Sequence, residues 1–173
     1  MLTIHKYRHR DLPAGRSDEL RLLASNEFDQ FPIVRQTSWA TPDWSFLGMD
    51  DHTLACFYNL VERVVRFDDQ PVEIVGLNNL VTAPRYKSRG FASRLLRSTE
   101  TDWFTTLKAR YGLLLCADHL IPFYVRLGWQ RVSSEVRFSQ PEREHVWPAN
   151  CMVLSPAREP VAPQVIDLCG LPW

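Results

Sequence analysis

The run from Leu2 to Tyr7 predicts a first β-strand, and the DLPAGRSDEL that follows carries the Pro, Gly and Ser of a loop opening into a helix. That helix is expected from about Ser17 to Phe28, with Leu20, Leu22, Leu23 and Phe28 as its apolar face. The next stretch, FPIVRQTSWATPDWSFLGMDD, holds two Pro and two Trp residues and predicts irregular structure or a short helix. Its Trp39 and Trp44 suit either the wall of a pocket or a lid over the core. His52 to Phe67 is rich in Leu, Val, Phe and Tyr, Asp68-Asp69-Gln70-Pro71 makes a turn, and Val72 to Ala83 is extended again, so a β-hairpin is predicted. A second helix is expected from about Gly90 to Arg110, with Leu95, Leu96, Trp103 and Leu107 at helical spacing. Leu113 to Ala117 reads as a short apolar strand, Asp118-His119 as a polar break, and Pro122 to Gly128 as a short helix with its stop. Arg131 to Phe138 and Cys151 to Leu154 close the pattern as an antiparallel pair around the loop SQPEREHVWPAN. Strands and helices alternating in this way predict one α/β domain around one mixed sheet.

The segment from Val81 to Leu96, VTAPRYKSRGFASRLL, carries the chemistry most clearly. Pro84 lacks the N–H that a central ladder needs and ends the strand. Lys87 and Arg89 then bring positive charge to a turn, Gly90 lets the backbone approach a ligand, and Ala92 keeps the first helical turn uncluttered. A helix start with unpaired amides and the positive end of the dipole suits a phosphate or pyrophosphate. A Gly at a strand-to-helix junction also serves purely conformational needs, so the turn gains its meaning from its neighbours.

With 20 basic and 20 acidic residues among 173, the chain has no net charge, which argues against a nucleic-acid partner and makes the expected anion a small molecule. The length suits one buried core. Cys56, Cys116, Cys151 and Cys169 are widely spaced and read as reduced thiols. The five histidines are scattered along the chain, and no metal is expected. Neither a signal pattern nor a membrane-spanning apolar run is evident, and a cytoplasmic protein with no membrane partner is the expectation.

Lys87-Ser88-Arg89-Gly90-Phe91-Ala92, followed by a short strand, a helix, and Tyr124 four residues before Gly128-Trp129, resembles the acyl-CoA N-acyltransferases of the GNAT superfamily. Lys87 stands where that turn has Gln or Arg, keeping the charge without the bidentate geometry. The resemblance covers about Leu2 to Leu154. It implies a single GNAT-like domain with a central mixed, largely antiparallel sheet flanked by helices and splayed between the fourth and fifth strands. Within the superfamily the chain looks most like the aminoglycoside 2'-N-acetyltransferases, in Thr41-Pro42-Asp43-Trp44, in Val61 to Phe91, and in the closing Ile166-Asp167-Leu168-Cys169 and Trp173. Asn78-Asn79 departs from the Glu-Gly of those enzymes, and a class acting on a smaller amino sugar, such as the kasugamycin type, would accommodate it.

The resemblance implies attack of an uncharged amine on acetyl-CoA, the co-substrate. It puts the cofactor on Val81, Ala83, Lys87, Ser88, Arg89, Gly90, Phe91, Ala92 and Ser93, with a backbone N–H near Val81 facing the developing oxyanion. Tyr124 is the expected proton donor to the departing thiolate, because a phenol stays protonated at neutral pH. A core aromatic with a satisfied hydroxyl is its bland alternative. Asp118 is the candidate base, or else caps the short helix. His119 reads as surface. Glu27, Asp29, Asp43 and Trp44 near the aromatic segment, Asn78 and Asn79 on the strand, and Asp167 with Trp173 in the tail are candidates for the acceptor site. Residues 155–173 would then fold back on that site. The acceptor implied is a small-molecule amine, an amino sugar first, with a peptide N-terminus, a polyamine or aminoacyl-tRNA as alternatives. A non-catalytic acyl-CoA-binding domain is a further alternative, and a homodimer is left open.

Overall fold

A computed structural model describes residues 2–173. The chain runs β1 (Leu2–Arg8), α1 (Ala14–Phe28), α2 (Pro32–Gln36), β2 (Trp44–Asp50), β3 (Thr53–Phe67), β4 (Gln70–Thr82), α3 (Phe91–Thr105), β5 (Tyr111–Cys116), α4 (Ile121–Val125), β6 (Gln130–Val132), β7 (Glu135–Ser139), β8 (Glu144–Val146), β9 (Asn150–Leu154) and β10 (Val165–Asp167), with three short 3-10 turns between elements. All ten strands join one mixed sheet in the order β6-β9-β5-β4-β3-β10-β7-β8, and β2 with β1 beyond it shares the second edge of β3 with β10. Only β4–β5 and β10–β7 are parallel. The mixed, largely antiparallel α/β domain read from the sequence is the fold observed.

Four local readings need correction. Trp44–Asp50, within the stretch taken as irregular, is the strand β2, buried on both faces over Ser45–Met49, so it has none of the alternation by which a half-buried strand is recognised. Asp51, in the left-handed conformation at φ 52°, turns it back into β3. Arg131–Phe138 is two strands: β6 pairs with β9, whereas β7 pairs with β8 and β10. The loop after it contains β8, forming a hairpin with β7. Helix α3 ends at Thr105 rather than Arg110, and Lys108 at φ 59° redirects the chain into β5.

The two faces of the sheet are covered differently. On one, α3 packs Leu95, Leu96 and Trp103 against Phe46, Tyr58 and Leu60. The polar atoms buried there form a closed relay: the Trp103 indole donates to Tyr58 Oη at 3.0 Å, Tyr58 to Thr99 Oγ1 at 2.6 Å, and Thr99 to the Leu95 carbonyl at 2.7 Å. Each such bond contributes about 1 kcal/mol net, and leaving one donor unpaired would cost more. On the other face, Leu20 of α1 packs on Leu47, Phe57 and Val81, and α1 leaves much of the sheet beyond it uncovered.

The tail fills part of that space. Asp68 Oδ1 accepts from the Gln164 and Val165 amides, β10 pairs with β3 and β7, and Arg63 Nη1 donates to the carbonyls of Leu168 and Leu171 at 3.2 and 2.6 Å. Trp173 ends 3% exposed with its indole flat on Gly76 of β4, where an added Cβ would come 2.1 Å from the ring. A glycine is therefore required at 76 by packing. Gly76→Ala should destabilise the protein by about 1–3 kcal/mol through overpacking. Measured by denaturant unfolding, most of that cost should disappear in a Trp173→Ala background, because the ring is the clash.

Candidate active site

Strands β4 and β5 pair only from Ile74↔Tyr111 to Leu77↔Leu114, although β4 runs on to Thr82 and β5 to Cys116. Beyond that point β4 bulges: Asn79 and Leu80 stand opposite Tyr58 alone, with Asn79 at φ 50°. Asn is among the residues that tolerate this conformation, and a bulge adds local twist that swings a strand from its neighbour. The two strands part, and the edge of β4 that faces β5 has no ladder partner from Asn78 to Thr82.

A cavity of about 830 Å³ opens on the α1 face at this fork. Leu77, Asn78, Asn79 and Leu80 form one wall and Leu114 to Ala117 another, with Tyr124, His119 and Leu120 beyond β5. Glu27, Phe28, Asp29 and Phe31 close it from the α1–α2 side, and Trp39, Trp147 and Trp173 supply aromatic walls. The indole N–H groups of Trp147 and Trp173 are both buried without an acceptor among the described residues.

On the far side of the fork, Pro84–Tyr86 forms a single 3-10 turn, Ser88 and Gly90 adopt left-handed φ of 59° and 74°, and Gly90 is the N-cap of α3. No side chain caps this helix, and Arg94 N–H, bonding to Gly90 O at 3.0 Å, is the first amide engaged inside it. A Cβ on Gly90 would meet nothing within 4 Å, so the space over the turn is open. Arg85, Arg89 and Arg94 stack on Tyr86 and Phe91, which holds their guanidinium groups around the turn. Free amides, a helix dipole and three positioned arginines suit a pyrophosphate. Lys87 is differently placed: its Nζ pairs with Glu27 at 2.7 Å, an exposed ion pair that links the turn to α1.

Tyr124 is buried against Phe123 and Trp129, and its ring lines the cavity. Burial first, and then Cys116 nearby, pushes its phenol well above the ordinary value of 10, so it stays protonated at any physiological pH. The backbone carbonyl of Tyr124 accepts from Leu127 and Trp129, while no backbone group satisfies its hydroxyl among the described residues. The Cys116 thiol, pushed up to about 11 by burial and by Asp118, is neutral as well.

Of the expected acceptor residues, Glu27, Asn78, Asn79 and Trp173 reach the cavity, whereas Asp43, Trp44 and Asp167, and the candidate base Asp118, do not. Asp118 accepts a 2.8 Å bond from Asn150, which also holds the Cys116 carbonyl, so its carboxylate is committed to bridging β5 and β9. Asp43 takes the Glu62 amide at 2.8 Å. Trp44 donates to Glu62 and stacks under Arg8 on the opposite face of the sheet, as strand alternation requires of the neighbour of inward-facing Ser45. Asp167 accepts from the Cys169 amide. Asp29, also expected there, and His119, expected at the surface, are on the wall.

Two further residues on the wall, His9 and Asn59, had no signal in the sequence. They are joined through buried Ser45: His9 Nδ1 lies 2.8 Å from Ser45 Oγ, which donates to Asn59 Oδ1 at 2.7 Å. Ser45, Asn59 and Asn78 are direct cross-strand neighbours on β2, β3 and β4, forming a polar row that ends at the fork. Burial lowers the His9 imidazole from its ordinary value, with Asp43 opposing.

Among the described residues no helix is long and apolar enough to cross a membrane, and no group of three or more His, Cys, Asp or Glu could hold a metal ion. No protein of curated function matches the chain in sequence. Solved structures with the same fold include ElaA from Escherichia coli, at TM-score 0.65 and 16% identity over 90% of this chain and 100% of that one. An acyl-CoA N-acyltransferase from Pseudomonas aeruginosa aligns at TM-score 0.61 and 15% identity, over 90% of this chain and 100% of that one. The N-acetyltransferase YhbS from Escherichia coli, solved in complex with CoA, aligns at 0.59 and 15%, over 96% and 89%. The model of the acetyltransferase (GNAT) domain matches residues 21–132, and with that match this chain belongs to the GNAT family of acetyl-CoA-dependent N-acetyltransferases.

Proposed function

We propose that this acetyltransferase acts on a small amino sugar or similar small amine, bound in the cavity on the α1 face while acetyl-CoA lies in the fork from the α3 turn. The observation that carries the reading is the cavity itself, about 830 Å³ and walled by aromatic rings, which opens where β4 and β5 part. Aromatic faces attract a cationic amine without needing a carboxylate for each charge. The lining carboxylates are Glu27 and Asp29, and Glu27 is already paired with Lys87. That balance suits an acceptor with one or few amines, as in the kasugamycin type, better than a polycationic aminoglycoside whose several charges would each want a partner.

In this reading the amides of Phe91, Ala92 and Ser93 and the arginines around them hold the pyrophosphate, and the unpaired edge of β4 beyond Leu77 offers backbone groups to the pantetheine arm and, near Val81, to the thioester oxygen. The amine nitrogen attacks the acetyl carbon, the carbon–sulfur bond breaks, and Tyr124 gives its hydroxyl proton to sulfur. A phenol raised by burial is a weak acid in the ground state and serves only as thiolate develops beside it.

Gly90→Val forces a β-branched residue into φ 74° and fills the open space over the turn, and Arg89→Glu adds repulsion, so both variants should bind acetyl-CoA at least tenfold more weakly by calorimetry, with the thermal midpoint kept in Arg89→Glu and lowered by backbone strain in Gly90→Val. Tyr124→Phe should lower kcat on the order of a hundredfold with acetyl-CoA affinity nearly intact. A wild-type kcat would return Tyr124 to the core. In a thiol-release assay with acetyl-CoA, kasugamycin should turn over with a higher kcat/KM than spermidine, a peptide N-terminus or a polycationic 2'-amino aminoglycoside. Turnover confined to the peptide or spermidine would replace the amino-sugar reading.

A further inference from the structure

We infer that His9 is the general base of the reaction, a role that rests on the proposed binding of the amine in this cavity. The hydrogen-bond chain behind the imidazole decides which of its nitrogens can act. Ser45 has one proton and gives it to Asn59 Oδ1, so toward His9 it can only accept. Nδ1 must therefore carry the hydrogen, which leaves the lone pair on Nε2, and Nε2 has no partner among the described residues. A base oriented at one ring nitrogen and free at the other is the arrangement that general-base catalysis requires.

Placement supports the same role. His9, Asn59 and Asn78 share one cavity wall, with His9 at the β2 end of the polar row and Asn78 at the fork where the acetyl group would arrive, so water in the cavity carries the proton between the amine and Nε2. Asp118, the carboxylate expected to serve as base, bonds to Asn150, and Asp43, expected near the acceptor, takes the Glu62 amide. Burial keeps the ring neutral at physiological pH, against the pull of Asp43. The other titratable groups on the wall are Arg21 and Glu27 from α1, Asp29 beyond it, His119, Cys116 and Tyr124.

The protons balance. As the uncharged amine attacks, the nitrogen–carbon bond forms and the carbon–sulfur bond breaks; the nitrogen loses one proton through water to His9 Nε2, and sulfur gains one from Tyr124. Exchange with solvent then returns a proton to Tyr124 and removes one from His9. Only the neutral imidazole can act. The sign of the pH effect follows: with its folded pKa below 6.5, His9 is in the active form at neutral pH, and activity falls as pH drops through that folded value.

The test uses the intact protein with acetyl-CoA and kasugamycin, and with spermidine as the second amine. His9→Gln retains a donor for Ser45 but cannot take up a proton. It should lose on the order of a hundredfold in kcat and the acidic limb of its pH profile, with unchanged acetyl-CoA affinity and thermal midpoint. Should that variant fold poorly, Ser45→Ala leaves the imidazole but frees its tautomer, and about a tenfold loss of kcat with a displaced acidic limb and unchanged KM is expected. Nitrogen-15 NMR of the free protein should show the Nδ1–H tautomer and a His9 titration below the ordinary value. An Nε2–H tautomer, or a wild-type kcat and acidic limb in His9→Gln, overturns the base assignment while the acetyltransferase reading stands. Failure of the wild-type protein to acetylate either amine, with acetyl-CoA bound, instead overturns the acceptor site and the base together.

Discussion

The parting of β4 from β5 is the constraint on which the rest of the molecule depends. A parallel pair that stayed in register along its length would present one continuous sheet, with nowhere for an extended substrate to cross from the α3 face to the α1 face. Here the ladder stops at Leu77↔Leu114 because β4 takes an extra residue at Asn79 and Leu80, while the long pairing of β4 with β3 continues past the bulge to Thr82. The strand is thus held firmly on one edge and left unpaired on the other. Unpaired strand edges are usually a liability. In this fold the edge lies between the helix start at Gly90 and the cavity, where a substrate can complete it.

The sheet has to be closed around that opening by other means, and the C-terminal segment does much of it. Asp68 fixes the entry to β10, Arg63 binds the carbonyls that follow, and Trp173 is laid over Gly76 one residue before the ladder ends. The ring therefore seals the paired part of β4 and borders the unpaired part. Its place on the cavity wall comes from packing and backbone contacts, whereas the carboxylate of Asp167, expected to accompany it toward the acceptor, turns back on the Cys169 amide.

What could be read from the sequence was whatever local chemistry writes down. Pro84, Gly90 and the apolar spacing of α3 announced a strand, a turn and a helix start, and Tyr124 ahead of Gly128-Trp129 announced the α4 turn. Burial on both faces hid β2, since a strand with no polar side gives no alternation, and the division of Arg131–Phe138 into β6 and β7 depends on β10 arriving from about thirty residues away. The acceptor site was harder still. Proximity in sequence sets Asp43 beside the aromatic segment and Asp118 at the end of β5, but their carboxylates are spent on the Glu62 amide and on Asn150, partners that no local pattern names. His9 meets Ser45 across 36 residues and Ser45 meets Asn59 across 14, so the polar row exists only once three strands are in register.

Tyr58 and Asn59, adjacent on β3, show how one strand can hold the core on one face and line a cavity on the other. Tyr58 points toward α3 and sits in a relay whose every proton has a destination, from Trp103 through Thr99 to the Leu95 carbonyl. Such a chain has no capacity left over, and burial holds the Tyr58 phenol far above its ordinary range. Asn59 points toward α1 and anchors a chain that runs the other way, through Ser45 to a ring with one nitrogen committed and one free. Low dielectric makes the closed relay rigid, and it makes the open one a directed acceptor beside a cavity. The same physics of satisfied donors thus separates core from site: where the accounting closes, the residues hold the fold, and where it ends on an unpaired ring nitrogen in a cavity-lining residue, they are available to a substrate.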